Sequence, residues 1–325
     1  MLMNDLNAIA KVIKQVRNVV ICGHAMPDGD SIGSTVAMGL LIKMLDKNVT
    51  VISPDPVPRA YGFLPGVKDV MGLKEFPEAC DLAVILDCTD LNRTGDELAH
   101  RLQKVPTIIN IDHHVSNHRF GHYNFVEPAA AAAGELVYAL AGELGLDLTP
   151  DVAMNLYTAV AMDTGSFRYD NTTAETHKIA ARLIGTGINV ARINENLFEN
   201  KELITLRLLG RALSGMQVSP CGRVAWISVP YSLMEEMGAR DEHADGIVNY
   251  PKTAEGVEIG LLFREIEPGR IKVGFRSKET ADVNKLAAIF GGGGHPRAAG
   301  CMINGDLAEV EAEVIAAALA ILSGQ

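Results

Sequence analysis

The chain is predicted to be α/β, with an N-terminal doubly wound, mainly parallel sheet joined by a helical connector to a smaller α+β domain. Three observations carry this. Short apolar runs alternate with helical periodicity through the first half, and those runs are apolar on both faces. Helical patterns then follow one another from Ala132 to about Met216, and strand signals resume after Val218. Taken in order, alternating apolar and polar residues up to Arg17 give an amphipathic first helix. Residues 19–22 form an apolar run, and 31–45 carry a helical pattern that Ser31 can cap. Residues 48–53, 82–86 and 107–111 read as buried strands. The alanines at 129–133 read simply as a helix start. In the second part, 223–229, 257–263 and 270–276 read as strands, the last after a Pro268-Gly269 turn, and 232–237, 283–290 and 307–322 as helices. The expected division is an α/β domain over 1–195, a helical connector over 196–217, and an α+β domain over 218–325.

With 325 residues there is enough chain for two buried cores. No apolar run approaches the ~18 residues that cross a bilayer, and the N-terminus lacks the apolar block of a signal peptide. Five cysteines lie far apart with no C-x-x-C pair, which fits reduced thiols. Together these features lead to the expectation of a cytoplasmic protein without a membrane partner. The net charge of −11 excludes the basic surface by which long duplex nucleic acid is held. Residues 264–297 carry seven Lys/Arg against four Asp/Glu, a surplus suited to a short phosphate-bearing ligand.

Four groups of acids and histidines stand at or just after element ends: His24-x-x-x-Asp28-x-Asp30, Asp87, Asp112-His113-His114, and Asp163 in Asp163-Thr-Gly165. Parallel strands bring their carboxyl ends to one edge, so the first three groups can converge. Mixed imidazole and carboxylate ligands suit Mn²⁺, and also Fe²⁺, Co²⁺ or Zn²⁺, better than Mg²⁺ or Ca²⁺. Singly, each Asp is ordinarily a turn residue or helix cap. An EF-hand reading of Asp28, Asp30 and Gly33 fails, because Gly39 stands where Glu is required. A zinc reading of His114, His118 and His122 needs a helix that Gly121 and the extended pattern of 120–126 disfavour. In the second domain, Arg276-Ser277 ends a strand, and Gly291-Gly-Gly293-Gly294-His295-Pro-Arg297 forms a glycine run whose amides can face an anion.

Together these motifs resemble the DHH phosphoesterase superfamily, in its oligoribonuclease/pAp-phosphatase branch, over nearly the whole chain. The resemblance implies two divalent cations, Mn²⁺ in the family pattern, held by His24 and Asp28 on one side and by Asp30, His113 and Asp163 on the other, with Asp87 bridging. It implies that His114 contacts the scissile phosphate and that Asp112 orients a ligand histidine. It also implies that Arg276, Ser277, Gly293, Gly294, His295 and Arg297 hold the nucleotide. Arg93 and Arg168 are looser candidates for substrate contact, and Asn117 is expected to be structural. The implied activity is hydrolysis of short oligoribonucleotides such as pGpG or pApA, and dephosphorylation of mononucleotide bisphosphates such as pAp. The alternative is a stand-alone cyclic-dinucleotide phosphodiesterase. The Ser-Arg-Lys-Lys signature of the related pyrophosphatases is absent, as are the basic channel and extra modules of a processive exonuclease. The intact ligand set argues against a non-catalytic nucleotide sensor. A homodimer is one option for the assembly, which the sequence leaves open.

Overall fold

The computed structural model describes residues 6–323 and divides the chain into two compact units, Met1–Asn200 and Lys201–Gln325. The expected first helix is α1 (Leu6–Gln15), which buries Ile9, Ala10 and Ile13; residues 1–5 lie outside the described part. The first sheet contains β1 (Asn18–Cys22), β2 (Asn48–Ile52), β3 (Leu82–Leu86), β4 (Thr107–Asp112) and β5 (Tyr123–Val126). All its pairings are parallel, in the order β2-β1-β3-β4-β5. The chain reverses direction across the sheet between β1 and β3, where the crevice of a doubly wound fold opens at the strand carboxyl ends. β3 is buried along its whole length, as its uninterrupted Leu-Ala-Val-Ile-Leu sequence requires of a strand covered on both faces.

The helices of this unit are α2 (Gly29–Lys43), α3 (Asp96–Leu102), α4 (Ala133–Leu144), α5 (Pro150–Asp163), α6 (Ala174–Gly185) and α7 (Val190–Asn194). α2 begins two residues earlier than its sequence pattern suggested, because Asp28 rather than Ser31 is its cap. The Asp28 carboxylate accepts the N–H groups of Asp30 and Ser31 at 3.1 and 3.0 Å. Ser31 is instead buried inside the helix. α2 is apolar nearly all round and packs against both α4 and α5. At Gly33 a Cβ would lie 2.5 Å from the Asn155 carbonyl oxygen, so only glycine permits that approach of α2 to α5.

The second unit comprises α8 (Leu203–Ser214), β6 (Gln217–Val218), β7 (Val224–Val229), α9 (Tyr231–Met237), β8 (Ile259–Glu267), β9 (Arg270–Ser277), α10 (Val283–Ile289), β10 (Gly293–His295), β11 (Ala298–Asn304) and α11 (Leu307–Ser323). Its sheet runs β10-β11-β9-β8-β7-β6, antiparallel except for β7 with β8. One core contains Phe263, Phe275, Leu286 and Val314, and the other contains Leu208, Ile227, Met234 and Ile247, so the sheet is covered on both faces. The glycine run is not an open loop: Gly293–His295 pairs with Ala298–Gly300 as an edge hairpin. Among the described residues, no helix is long and apolar enough to cross a membrane.

Candidate metal centre

The carboxyl ends of β1, β3 and β4, the N-terminus of α2 and the last residue of α5 bring the predicted acids and histidines together. His24 follows β1, and its Nδ1 donates to the Ala25 carbonyl at 2.9 Å. That leaves Nε2 facing Asp87 Oδ2 at 3.4 Å and Asp28 Oδ1 at 3.7 Å. His113, after β4, donates from Nδ1 to the Ala130 carbonyl at 3.3 Å. Its Nε2 faces Asp163 Oδ2 at 3.3 Å, Asp87 Oδ1 at 3.6 Å and Asp30 Oδ2 at 3.7 Å. Each imidazole thus gives one N–H to a backbone carbonyl and turns the other nitrogen toward carboxylates, the arrangement of a metal-ligating histidine. Two groups, His24–Asp28–Asp87 and Asp30–His113–Asp163, place their ligand atoms within 4.8 Å of one another.

Asp87 lies between the two groups. It is 4% exposed, and its Oδ1 is buried with no hydrogen-bond partner. A buried carboxylate oxygen in that state is costly unless a cation meets it. Its backbone has φ 54°, a left-handed conformation that Asp tolerates better than most residues and that turns the chain sharply out of β3. The donor set and the unsatisfied oxygen both fit divalent cations.

The protonation pattern points the same way. Burial alone would lower the pKa of His24, but the hydrogen bonds and charges of Asp28 and Asp87 outweigh it and raise the value to about 11. For His113, burial is likewise overcome by Asp87, Asp30 and Asp163, giving about 10. Burial, with the charge of Asp87, pushes Asp163 up to about 7. Asp30 is raised well above the usual carboxylate range by burial and by the Asp87 and Asp163 charges. Burial would raise Asp87 too, but His113, His24 and His114 hold it below that range. Protons thus balance the crowded carboxylates where a cation would otherwise do so.

Asp112 is fully buried and its oxygens are already engaged. Oδ1 accepts the His113 N–H at 2.8 Å and His114 Nδ1–H at 2.7 Å, while Oδ2 accepts Asn117 Nδ2 at 2.6 Å. Asn117 Nδ2 also lies within 3.0 Å of the Cys88 carbonyl oxygen. Asn117 therefore holds Asp112, and Asp112 holds His114. Near this edge, Arg168 Nε donates to the Gly165 carbonyl, and the Arg93 carbonyl accepts the Ala25 N–H. His122 accepts the Ile108 N–H through Nδ1, and no helix joins it to His114.

In the second unit, Arg276 lies on β9, with Nε bonded to Asn249 Oδ1 at 3.2 Å and Nη1 to the Phe275 carbonyl at 2.9 Å. Ser277 is 2% exposed and gives its hydroxyl proton to the Ala281 carbonyl at 2.7 Å, so it braces the chain beneath the hairpin. Arg297 Nη1 donates to the same carbonyl at 2.8 Å. Gly293 and Gly294 are exposed on β10, whereas the His295 side chain lies outside the described part. A further acid–histidine group, Glu202, Glu242 and His243, already surrounds a cation: Arg240 Nη2 stands 2.5 Å from Glu242 Oε1 and 3.4 Å from His243 Nε2.

Asn117 was expected to be structural, whereas sequence reasoning missed Asn110. The Asn110 side chain is buried and donates to the Cys88 carbonyl at 3.1 Å. Its only sequence signal is a polar residue inside the apolar run of β4.

Residues 18–160 match the DHH family, N-terminal domain, and 227–324 match the DHHA1 domain. The bifunctional oligoribonuclease and PAP phosphatase NrnA of Thermus thermophilus is 33% identical over 305 residues, 92% of this chain and 89% of that protein. The Bacillus subtilis protein of the same name is 27% identical over 301 residues, 91% of this chain and 92% of its own. Among solved structures, an exopolyphosphatase-related protein from Bacteroides fragilis superposes with a TM-score of 0.90 at 28% identity, covering 98% of this chain and 95% of that one. The chain belongs to the DHH phosphoesterase family, as a DHH–DHHA1 hydrolase of phosphoric ester bonds.

Proposed function

We propose that this protein is a two-cation phosphoesterase that hydrolyses short oligoribonucleotides, dinucleotides above all, to mononucleotides, and that also removes a phosphate from nucleoside bisphosphates such as pAp. The observation that carries this reading is the position of Asp87. One buried carboxylate faces His24 Nε2 with Oδ2 and, with an Oδ1 that accepts no hydrogen bond, His113 Nε2 and His114 Nδ1. The substrate class is supported by relatives named as oligoribonucleases and PAP phosphatases that align with this chain nearly end to end. The net charge of −11 favours a short substrate over a polymer.

His24 and Asp28 would hold one cation, Asp30, His113 and Asp163 the other, and Asp87 both. When bound, such a pair supplies Lewis-acid polarisation of phosphoryl oxygens and acidifies water at neutral pH. The protein's own groups do the rest. Asp112 fixes the His114 ring through Nδ1, and its charge, with that of Asp87, outweighs burial to raise the His114 pKa. The shift favours the protonated form of His114, which can donate to a phosphoryl oxygen, and its preset orientation suits charge that develops during transfer. Asn117 keeps Asp112 from turning away. In the second unit, Arg276, Arg297 and the exposed amides of the β10 edge recognise the nucleotide, and Ser277 stiffens their support. The imidazole ligands favour Mn²⁺ over Mg²⁺, and widely spaced free cysteines fit action in the reducing cytoplasm.

The test is product analysis with Mn²⁺ on pGpG, pApA, pAp, cyclic dinucleotides and pyrophosphate. Mononucleotides from the linear dinucleotides, with slower or no turnover of the cyclic ones, are expected. Preferential opening of cyclic dinucleotides, or hydrolysis of pyrophosphate alone, contradicts the reading.

A further inference from the structure

The alanine tract at 130–133 does more than begin a helix. Ala132 stands at the N-cap of α4 with no side chain to cap it. Two distant groups fill that role. Asp30 of α2 accepts the Ala133 N–H on Oδ2 at 2.6 Å and the Gly134 N–H on Oδ1 at 3.0 Å. Glu135, three residues past the cap, reaches back to accept the Ala131 N–H on Oε2 at 3.1 Å. The start of α4 is thus capped from both sides, by Asp30 of another helix and by Glu135 of its own first turn.

The same backbone also reaches the other members of that ligand group. The Ala130 carbonyl accepts the His113 Nδ1–H. Asn171 Nδ2 donates to the Ala131 carbonyl and to the Asp163 carbonyl, both at 3.1 Å. Both acceptors are carbonyl oxygens, so the orientation of the Asn171 amide is fixed. Asp30, His113 and the backbone of Asp163 are all tied to residues 130–134, and none of these bonds involves His24 or Asp28. The small side chains make this possible: a Cβ on Gly134 would lie 2.7 Å from that of Ala159 and 3.7 Å from Asp30 Oδ1.

We propose that residues 130–134, with Glu135 and Asn171 as positioning residues, set the geometry of the Asp30–His113–Asp163 cation site separately from the His24–Asp28 site. Each Asp30 oxygen gives one lone pair to a peptide N–H, which fixes the direction of the other. Backbone amides at a helix start cannot swing as a side chain can, so the carboxylate is held ready before a cation arrives. This inference rests on the two-cation reading above.

The test is titration of the metal-free full chain with Mn²⁺, followed by calorimetry, by electron paramagnetic resonance and by the melting temperature before metal is added. Wild type is expected to bind two ions with a spin-coupled spectrum. In Glu135→Ala and in Asn171→Ala, one ion should bind as in wild type and the other about 10- to 100-fold more weakly. At one equivalent the spectrum should then be that of an isolated ion. Glu135→Gln retains an oxygen for the Ala131 N–H and should behave as wild type. Should Glu135→Ala not fold, the half-buried Asn171 carries the same test. Wild-type binding of both ions in the two alanine variants overturns the proposal, as does equal weakening of both ions with a lower melting temperature. Wild type binding fewer than two ions contradicts the two-cation reading instead.

Discussion

Asp112 shows how a residue can be central without touching the reaction. It is fully buried and accepts from His113, His114 and Asn117. Asp112→Asn preserves its shape but removes the charge that orients and protonates His114. Turnover should fall about 10- to 100-fold, while Mn²⁺ stoichiometry stays the same, because Asp112 reaches His113 only through its backbone N–H. Steady-state rates combined with a metal titration check this, and unchanged turnover contradicts it. Most acids and histidines of the site were legible in the sequence because they follow strand ends, where a parallel sheet gathers them, whereas Asp163 ends α5. Asn110, Glu135 and Asn171 were not legible. They bond to backbone groups or side chains whose nearness is created only by the fold, and an isolated Asn or Glu carries no spacing signal.

At the scale of elements, periodicity located the parallel strands within a residue or two, because both of their faces are buried. Local capping decided the start of α2, and there the competing Asp28 won over Ser31. β6, β10 and β11 went unread for different reasons. β6 is two residues long, β10 is three residues and mostly glycine, and β11 begins Ala-Ala-Gly, a weak strand signal. The hairpin of β10 and β11 beside β9 places Ala298 opposite Arg276. If this element recognises the nucleotide, Arg276→Ala should lower kcat/KM for dinucleotides and pAp by roughly ten- to a hundredfold, the loss of one charge-assisted contact of about 1.5–3 kcal/mol. Bis-p-nitrophenyl phosphate, which lacks a nucleotide, should be affected much less. Equal losses on both substrates would assign Arg276 a purely structural role.

For the whole molecule, an acidic chain that acts on anionic substrates depends on cations, and its metal chemistry should be linked to pH. With pKa values of about 11 and 10, His24 and His113 hold protons at neutral pH in the metal-free protein. A cation must displace them, so binding releases protons and tightens as pH rises. Calorimetry at pH 7 in buffers of different ionisation enthalpy should show proton release, and its absence would contradict the assigned ligands. After chelation, Mn²⁺ should restore turnover far better than Mg²⁺ at equal concentration; equal rates would count against imidazole ligation. The most direct measurement concerns the shared carboxylate. Asp87→Asn keeps the side-chain shape and suits the left-handed backbone at φ 54°, so the fold should survive. Wild-type and variant protein, stripped of metal and reconstituted with Mn²⁺, would be assayed for mononucleotide release from pGpG. Release by wild type and none by a folded Asp87→Asn is the predicted result; a metal-replete variant that cleaves pGpG at the wild-type rate would contradict the two-cation site.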